Sequence, residues 1–150
     1  MPGTARVSDR DYVATMQAIN VAIVNPVFML LFLGTAVALA AGAAAHYREG
    51  QLSRRGWVLA AAAALYVAGV IGVTVARNVP LNDKLAEFEL DGANDTAVSE
   101  RRSSYESPWN TWHYVRTAAN IASFCLAIIA AHDAPHEVEG TGHTALDGSC

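Results

Sequence analysis

Three stretches without a charged side chain decide what this chain can become. Ile19 to Ala45, Gly56 to Ala76 and Thr117 to Ala131 hold no Asp, Glu, Lys or Arg, and the third extends back to Trp109 if Arg116 is tolerated. A helix crosses the bilayer core with about 20 residues at about 1.5 Å of rise each, so all three are long enough to span. A chain of 150 residues is too short to cover three such helices with other structure. The first run does not fit a signal peptide, because it is too long and is preceded by Asp9 and Asp11 beside Arg6 and Arg10. Composition agrees: 53% of residues are hydrophobic and 16% charged, against roughly 25% charged in ordinary globular proteins. The sequence therefore predicts an all-α membrane protein. Its form is an antiparallel bundle of three transmembrane helices near 18–44, 56–78 and 109–131, with a long polar loop between the second and third. A disordered acidic tail is expected over 132–150.

The loops set orientation and partners. HYREGQLSRR, His46 to Arg55, is short and holds Arg48, Arg54 and Arg55. Short basic loops stay on the cytoplasmic side, which places loop 46–55 and the tail inside a multi-pass cell-membrane protein. The net charge of −4 lies in loops and tail. The expected partners are thus the lipid bilayer and no nucleic acid, and a homo-oligomer is compatible. His132, His136 and His143, four and seven residues apart in a Gly/Pro/Glu-rich segment, offer no fixed metal geometry, and Cys125 and Cys150 form no spacing motif. No metal site is expected.

Local signals refine the spans. Ser8 followed by Asp11 is a capping pattern for a helix near Tyr12. Pro26 after Asn25 should kink the first helix. In RNVPLNDKL, Arg77 to Leu85, Pro80 should end the second, and Leu81 to Leu90 fits an amphipathic surface helix. DGAND, Asp91 to Asp95, reads as a turn. Pro108 suits the first turn of the third helix, with Trp109 at interfacial depth. Gly34, Ala38, Gly42, Ala61, Gly69 and Gly72 are expected at helix contacts, where small residues allow close approach.

Polarity gathers at one face. The first helix starts there, the second ends there and the third starts there. Gln17, Asn20 and Asn25 belong to the first, Arg77, Asn78 and Asn82 to the second, and Trp109, Trp112, His113, Arg116 and Asn120 to the third. At about 100° per residue the third set shares one arc of about 100°. Arg116 lies about 10 Å along the helix from Trp109, deep enough that an unpartnered charge costs up to about 2.5–3.5 kcal/mol. Amide carbonyls of Asn20, Asn25, Asn78 and Asn82 are expected to serve it. Each residue singly also fits ordinary helix glue or an interfacial belt. Their collection at one end argues for a polar pocket.

The order MQAIN..I.NP.F, NVPLN..L and W..W..VRT, at Met16 to Asn20, Asn25 to Phe28, Asn78 to Leu85 and Trp109 to Thr117, resembles the anthrone oxygenase-like family of small membrane proteins, catalogued as a domain of unknown function. The resemblance covers about Met1 to Ala131. Two departures stand out. Family members usually have four helices, so this chain is expected to lack the first, and His113 stands where asparagine is expected. The resemblance implies oxygenation of anthrones to anthraquinones by O₂ with no cofactor. For such a reaction on a lipophilic small molecule, the residues of the polar face are expected to divide into Arg116 and His113 as catalytic, the departure at His113 counting against its imidazole, and Gln17, Asn20, Asn25, Phe28, Asn78, Asn82, Trp109 and Trp112 as substrate-binding. A non-catalytic membrane protein that binds a small molecule, lipid or partner subunit remains the alternative. A transporter fragment is disfavoured, since nothing repeats and no acidic residue lies within the spans.

Overall fold

The computed structural model describes residues 7–48 and 51–132. Helix α1 covers Asp9–Ala22 and α2 Pro26–Ala45, followed by a small hairpin of β1, Tyr47–Arg48, and β2, Gln51–Leu52. Then α3, Arg54–Leu65, runs through π-helical turns at Tyr66–Gly72 and Thr74–Asn78 into α4, Val79–Ala86, and α5 closes the chain as Asp95–His132. Three helical segments are long and apolar enough to span: Pro26–Ala45, Arg54–Ala86 and Asp95–His132. The class is all-α apart from the hairpin, which pairs Tyr47 with Leu52 and Arg48 with Gln51. The expected tail falls outside the described residues, except for His132 at the end of α5.

The expected boundaries need correction at three places. The first run is two helices, not one kinked helix. Asn25 caps α2 by accepting from the Phe28 amide at 2.9 Å, with Pro26 in its first turn, while the same side chain donates to the Ala22 carbonyl at 3.1 Å. Proline lacks the amide that α1 would need to continue, so the break falls there. Pro80, by contrast, stops nothing. The helix is already in π register at Thr74–Asn78 when it meets the ring, and the wider turn relieves the clash that proline makes with the carbonyl four residues back. Likewise α5 begins at Asp95 rather than at Trp109, with Pro108 in its interior. The long polar loop shrinks to residues 87–94, turning at Gly92 with φ of 81°.

Within the spans, α3 with its π-helical extension is central, and α2 and α5 both pack on it rather than on one another. The close approach is at Gly69, where a Cβ would lie 2.5 Å from that of Ala119. Gly42 similarly faces Leu59. Gly34 has nothing within 4 Å and Gly72 meets only its own helix, while Ala38 and Ala61 are exposed, so these four are not contact residues. Hydrogen bonds also tie the helices: Ser123 Oγ donates to the Ala62 carbonyl at 2.9 Å and Tyr66 Oη to that of Phe32 at 3.0 Å.

The tightest packing lies beyond the charge-free runs, toward one end of the long helices. Tyr12, Val13 and Met16 of α1, Leu85 of α4, and Val98, Tyr105 and Trp109 of α5 form one buried cluster. Fully burying an aliphatic side chain such as Leu85 contributes about 1.5–3 kcal/mol. Val98, Arg102, Tyr105 and Trp109 recur at helical spacing, giving α5 the inward stripe that extends it past Pro108. Polar side chains stitch the rest. Gln17 Nε2 donates to the Leu85 and Phe88 carbonyls at 2.8 and 2.9 Å, serving the C-terminal end of α4. Arg10 clamps the connecting loop through the Leu90 and Ala93 carbonyls. Arg102 pairs with Asp9 at 2.9 Å and lies over the Tyr12 ring. Burial, aided by Glu106, pushes the Tyr12 phenol up to about 12. This unit, α1 with α4 and the first third of α5, caps one end of the bundle.

Candidate functional site

Directly beneath the cap lies a cavity of about 490 Å³. Its walls come from three places. The start of α2 and the link before it supply Ile23, Phe28, Leu31, Phe32 and Thr35; the first π-helical turn supplies Tyr66 and Val70; α5 supplies His113, Arg116, Thr117 and Asn120. Phe28 and Phe32 stack with ring centres 5.4 Å apart, making one aromatic wall. The opposite wall is polar.

Arg116 is the centre of that wall. Its Nη1 donates to Thr74 Oγ1 at 3.4 Å and its Nη2 lies 3.0 Å from His113 Nδ1. A guanidinium has five donors and no acceptor. Nδ1 must therefore accept, and the His113 proton sits on Nε2. Both partners of the cation are neutral, and among the described residues no carboxylate reaches it. Anion binding is what such a group can do: a positive charge in an apolar setting, with three N–H bonds uncommitted.

His113 is held from above. Its ring stacks on Trp109 at 5.0 Å and 13°. The indole in turn donates through Nε1 to Asn82 Oδ1 at 3.0 Å, and Tyr105 Oη donates to the same oxygen at 2.9 Å. Asn20 Nδ2 donates to Tyr105 Oη at 3.3 Å. A hydrogen-bonded chain thus runs from Asn20 of α1 to Trp109, whose stacked ring joins it to His113 at the cavity.

The residues singled out from sequence fall into three groups. Phe28, His113 and Arg116 line the cavity, with Asn120 beside them. Asn20, Asn82 and Trp109 form the chain above it. The remaining four lie elsewhere: Gln17 secures α4, Asn25 caps α2, Trp112 lies under the Arg77 guanidinium at 4.7 Å, and Asn78 is buried at 2% exposure. Neither polar atom of the Asn78 amide has a partner among the described residues. The expected bonds from Asn20, Asn25, Asn78 or Asn82 to Arg116 are not formed. Asn20 and Asn82 meet through Tyr105, and Arg116 takes Thr74 and His113 instead. Thr74, Tyr66 and Tyr105 carry the site's hydrogen bonds yet were not singled out. Thr74 and Tyr66 lie in the charge-free run, whose π register puts residues on one side that an α-helical count separates. Tyr105 lay in the supposed loop.

The family model for anthrone oxygenase matches residues 28–126, from Phe28 through the cavity residues of α5. No curated protein matches the chain, and no solved structure does. The match takes in the greater part of the sequence, most of each span and the cationic wall of the cavity, and the chain belongs to the anthrone oxygenase family.

Proposed function

We propose that this membrane protein is a cofactor-independent oxygenase that oxidises a lipophilic, anthrone-like phenol with O₂ in the cavity beneath the cap. The observation that carries the reading is Arg116, a guanidinium with only neutral partners facing an aromatic wall. An anthrone gives up a methylene proton to solvent base and becomes an enolate whose charge rests on oxygen. The uncommitted N–H bonds of Arg116 and the Nε2–H of His113 supply donors for that oxygen. Fixed donors aimed at developing charge in a dry site are commonly the largest catalytic contribution. Phe28 and Phe32 hold the flat rings by stacking. The enolate carbon transfers an electron to O₂, the radical pair combines, and protonation gives a hydroperoxide. Loss of water then leaves the quinone, so one O₂ converts a CH₂ into a C=O and one H₂O. His113 does not serve as the base in this scheme, because its Nδ1 lone pair is taken by Arg116.

O₂ uptake by the purified full chain in lipid nanodiscs, supplied with an anthrone, tests the proposal. Uptake should match quinone formed one to one, and Arg116→Leu should lower the rate by a factor of about 10²–10³. Quinone binding without O₂ uptake above the uncatalysed rate would support the binding-protein alternative instead.

A further inference from the structure

We infer that this site is loaded sideways from the bilayer, between α2 and α5, by a planar phenol already dissolved in the lipid. The inference rests on the oxygenase-type reading of the cavity above and adds the route and the physical state of the substrate. Its basis is where the cavity is open and where it is shut. On the cap side it is covered: the His113 ring lies flat against Trp109, and Trp109 is part of the buried cluster of the cap. Toward the hydrocarbon it is open. α2 and α5 each pack on α3 and its π-helical extension but leave each other nearly untouched. Leu31 on one lip is 65% exposed, and Thr35, Thr117 and Asn120 are exposed as well.

Two polar groups at this depth say what fills the cleft. From Trp109 it is about 10 Å along α5 to Arg116 and about 16 Å to Asn120. The Thr35 hydroxyl is satisfied by its own helix through the Leu31 carbonyl at 2.7 Å. The Asn120 amide has no hydrogen-bond partner among the described residues, and an unsatisfied amide in hydrocarbon costs several kcal/mol. An acyl chain satisfies neither Asn120 nor Arg116. A flat aromatic with an ionisable oxygen for the guanidinium and a further oxygen one turn deeper satisfies both. Apolar O₂ shares the route, since it also prefers hydrocarbon to water.

Spin labels on the two lips test this in the full chain, with Cys125→Ala and Cys150→Ser removing the native thiols. Single labels at Thr35→Cys and at Thr117→Cys, on different helices, are read in nanodiscs, with Ser104→Cys on the exposed flank of the cap for comparison. The probe is a hydroxyanthraquinone, a flat phenol that does not consume O₂. Both lip labels should relax with O₂ and ignore a water-soluble nickel chelate. Binding of the quinone should cut their O₂ accessibility at least twofold and leave the Ser104 label unchanged. A lip label reached by the chelate, or quinone binding that leaves both lips unaffected, would overturn the inference. So would spin–spin broadening that shows the lips covered by a second copy of the chain. If the lips are protected but no anthrone oxidation occurs, the route stands and the oxygenase reading falls; oxidation with chelate-accessible lips gives the reverse.

Discussion

Arg116 sets the logic of the site because its surroundings leave its charge uncompensated. Thr74 and His113 satisfy part of its donor set and fix its direction without cancelling it. The sequence made Arg116 conspicuous as the one charge inside the third apolar run, and it placed His113 and Asn120 on the same arc. It did not make the partners legible, because Thr74 reaches the guanidinium from a π-helical turn that no propensity announces. Small residues show the same division. Gly69 and Gly34 look alike in the sequence, yet one abuts Ala119 and the other abuts nothing. Gly69→Ala should destabilise the protein by about 1–3 kcal/mol, as overpacking does, and adding Ala119→Gly should recover most of the loss. Gly34→Ala should be neutral or stabilising by up to about 1 kcal/mol, since it only removes a helix penalty. Denaturation in mixed micelles measures all three.

Prolines separate the elements that sequence placed well from those it misplaced. Asn25–Pro26 acts as its local chemistry suggests, capping one helix and ending another. Pro80 and Pro108 sit inside helices because packing beyond the charge-free runs outweighs their local preference: Leu85 is fully buried after Pro80, and Val98 and Tyr105 are buried before Pro108. The inward stripe of Val98, Arg102, Tyr105 and Trp109 was present in the sequence as a helical period, although surrounded by Ser, Glu and Asn residues that suggest a loop. Replacing Pro80 by alanine restores an amide and removes the ring that favours the wide turn. Stability should change by no more than about 1 kcal/mol, since a helix former replaces a tolerated proline. Affinity for a hydroxyanthraquinone should fall at least threefold, because a return to α register rotates Thr74 away from Arg116. Calorimetry on the variant reads both; unchanged affinity would show that the π-helical turn does not position the site.

At the scale of the whole molecule, the protein is a thin bundle under a well-packed cap, with Arg116 and His113 where the two meet. Hydrophobic runs disclosed the spans, since three charge-free segments in so short a chain have few other uses. They did not disclose the cap, whose apolar residues are dispersed among charges and meet only after the chain crosses the membrane twice. The positive-inside tendency predicts a cytoplasmic α2–α3 connection and a cap outside. In intact cells of a thiol-free variant, Ser99→Cys should then react with an impermeant maleimide and Tyr47→Cys should not; the opposite pattern would invert the orientation. On the proposed function, the isolated Arg116 guanidinium in its aromatic cleft selects the anion of a lipophilic phenol. Spectrophotometric titration of a bound hydroxyanthraquinone, whose anion absorbs at longer wavelength, tests it most directly. In the native protein the ligand should ionise at least one pH unit lower than in empty nanodiscs, about 1.4 kcal/mol in favour of the anion, and Arg116→Leu should abolish the shift. Equal titration curves for the native protein, the variant and empty nanodiscs would contradict the account.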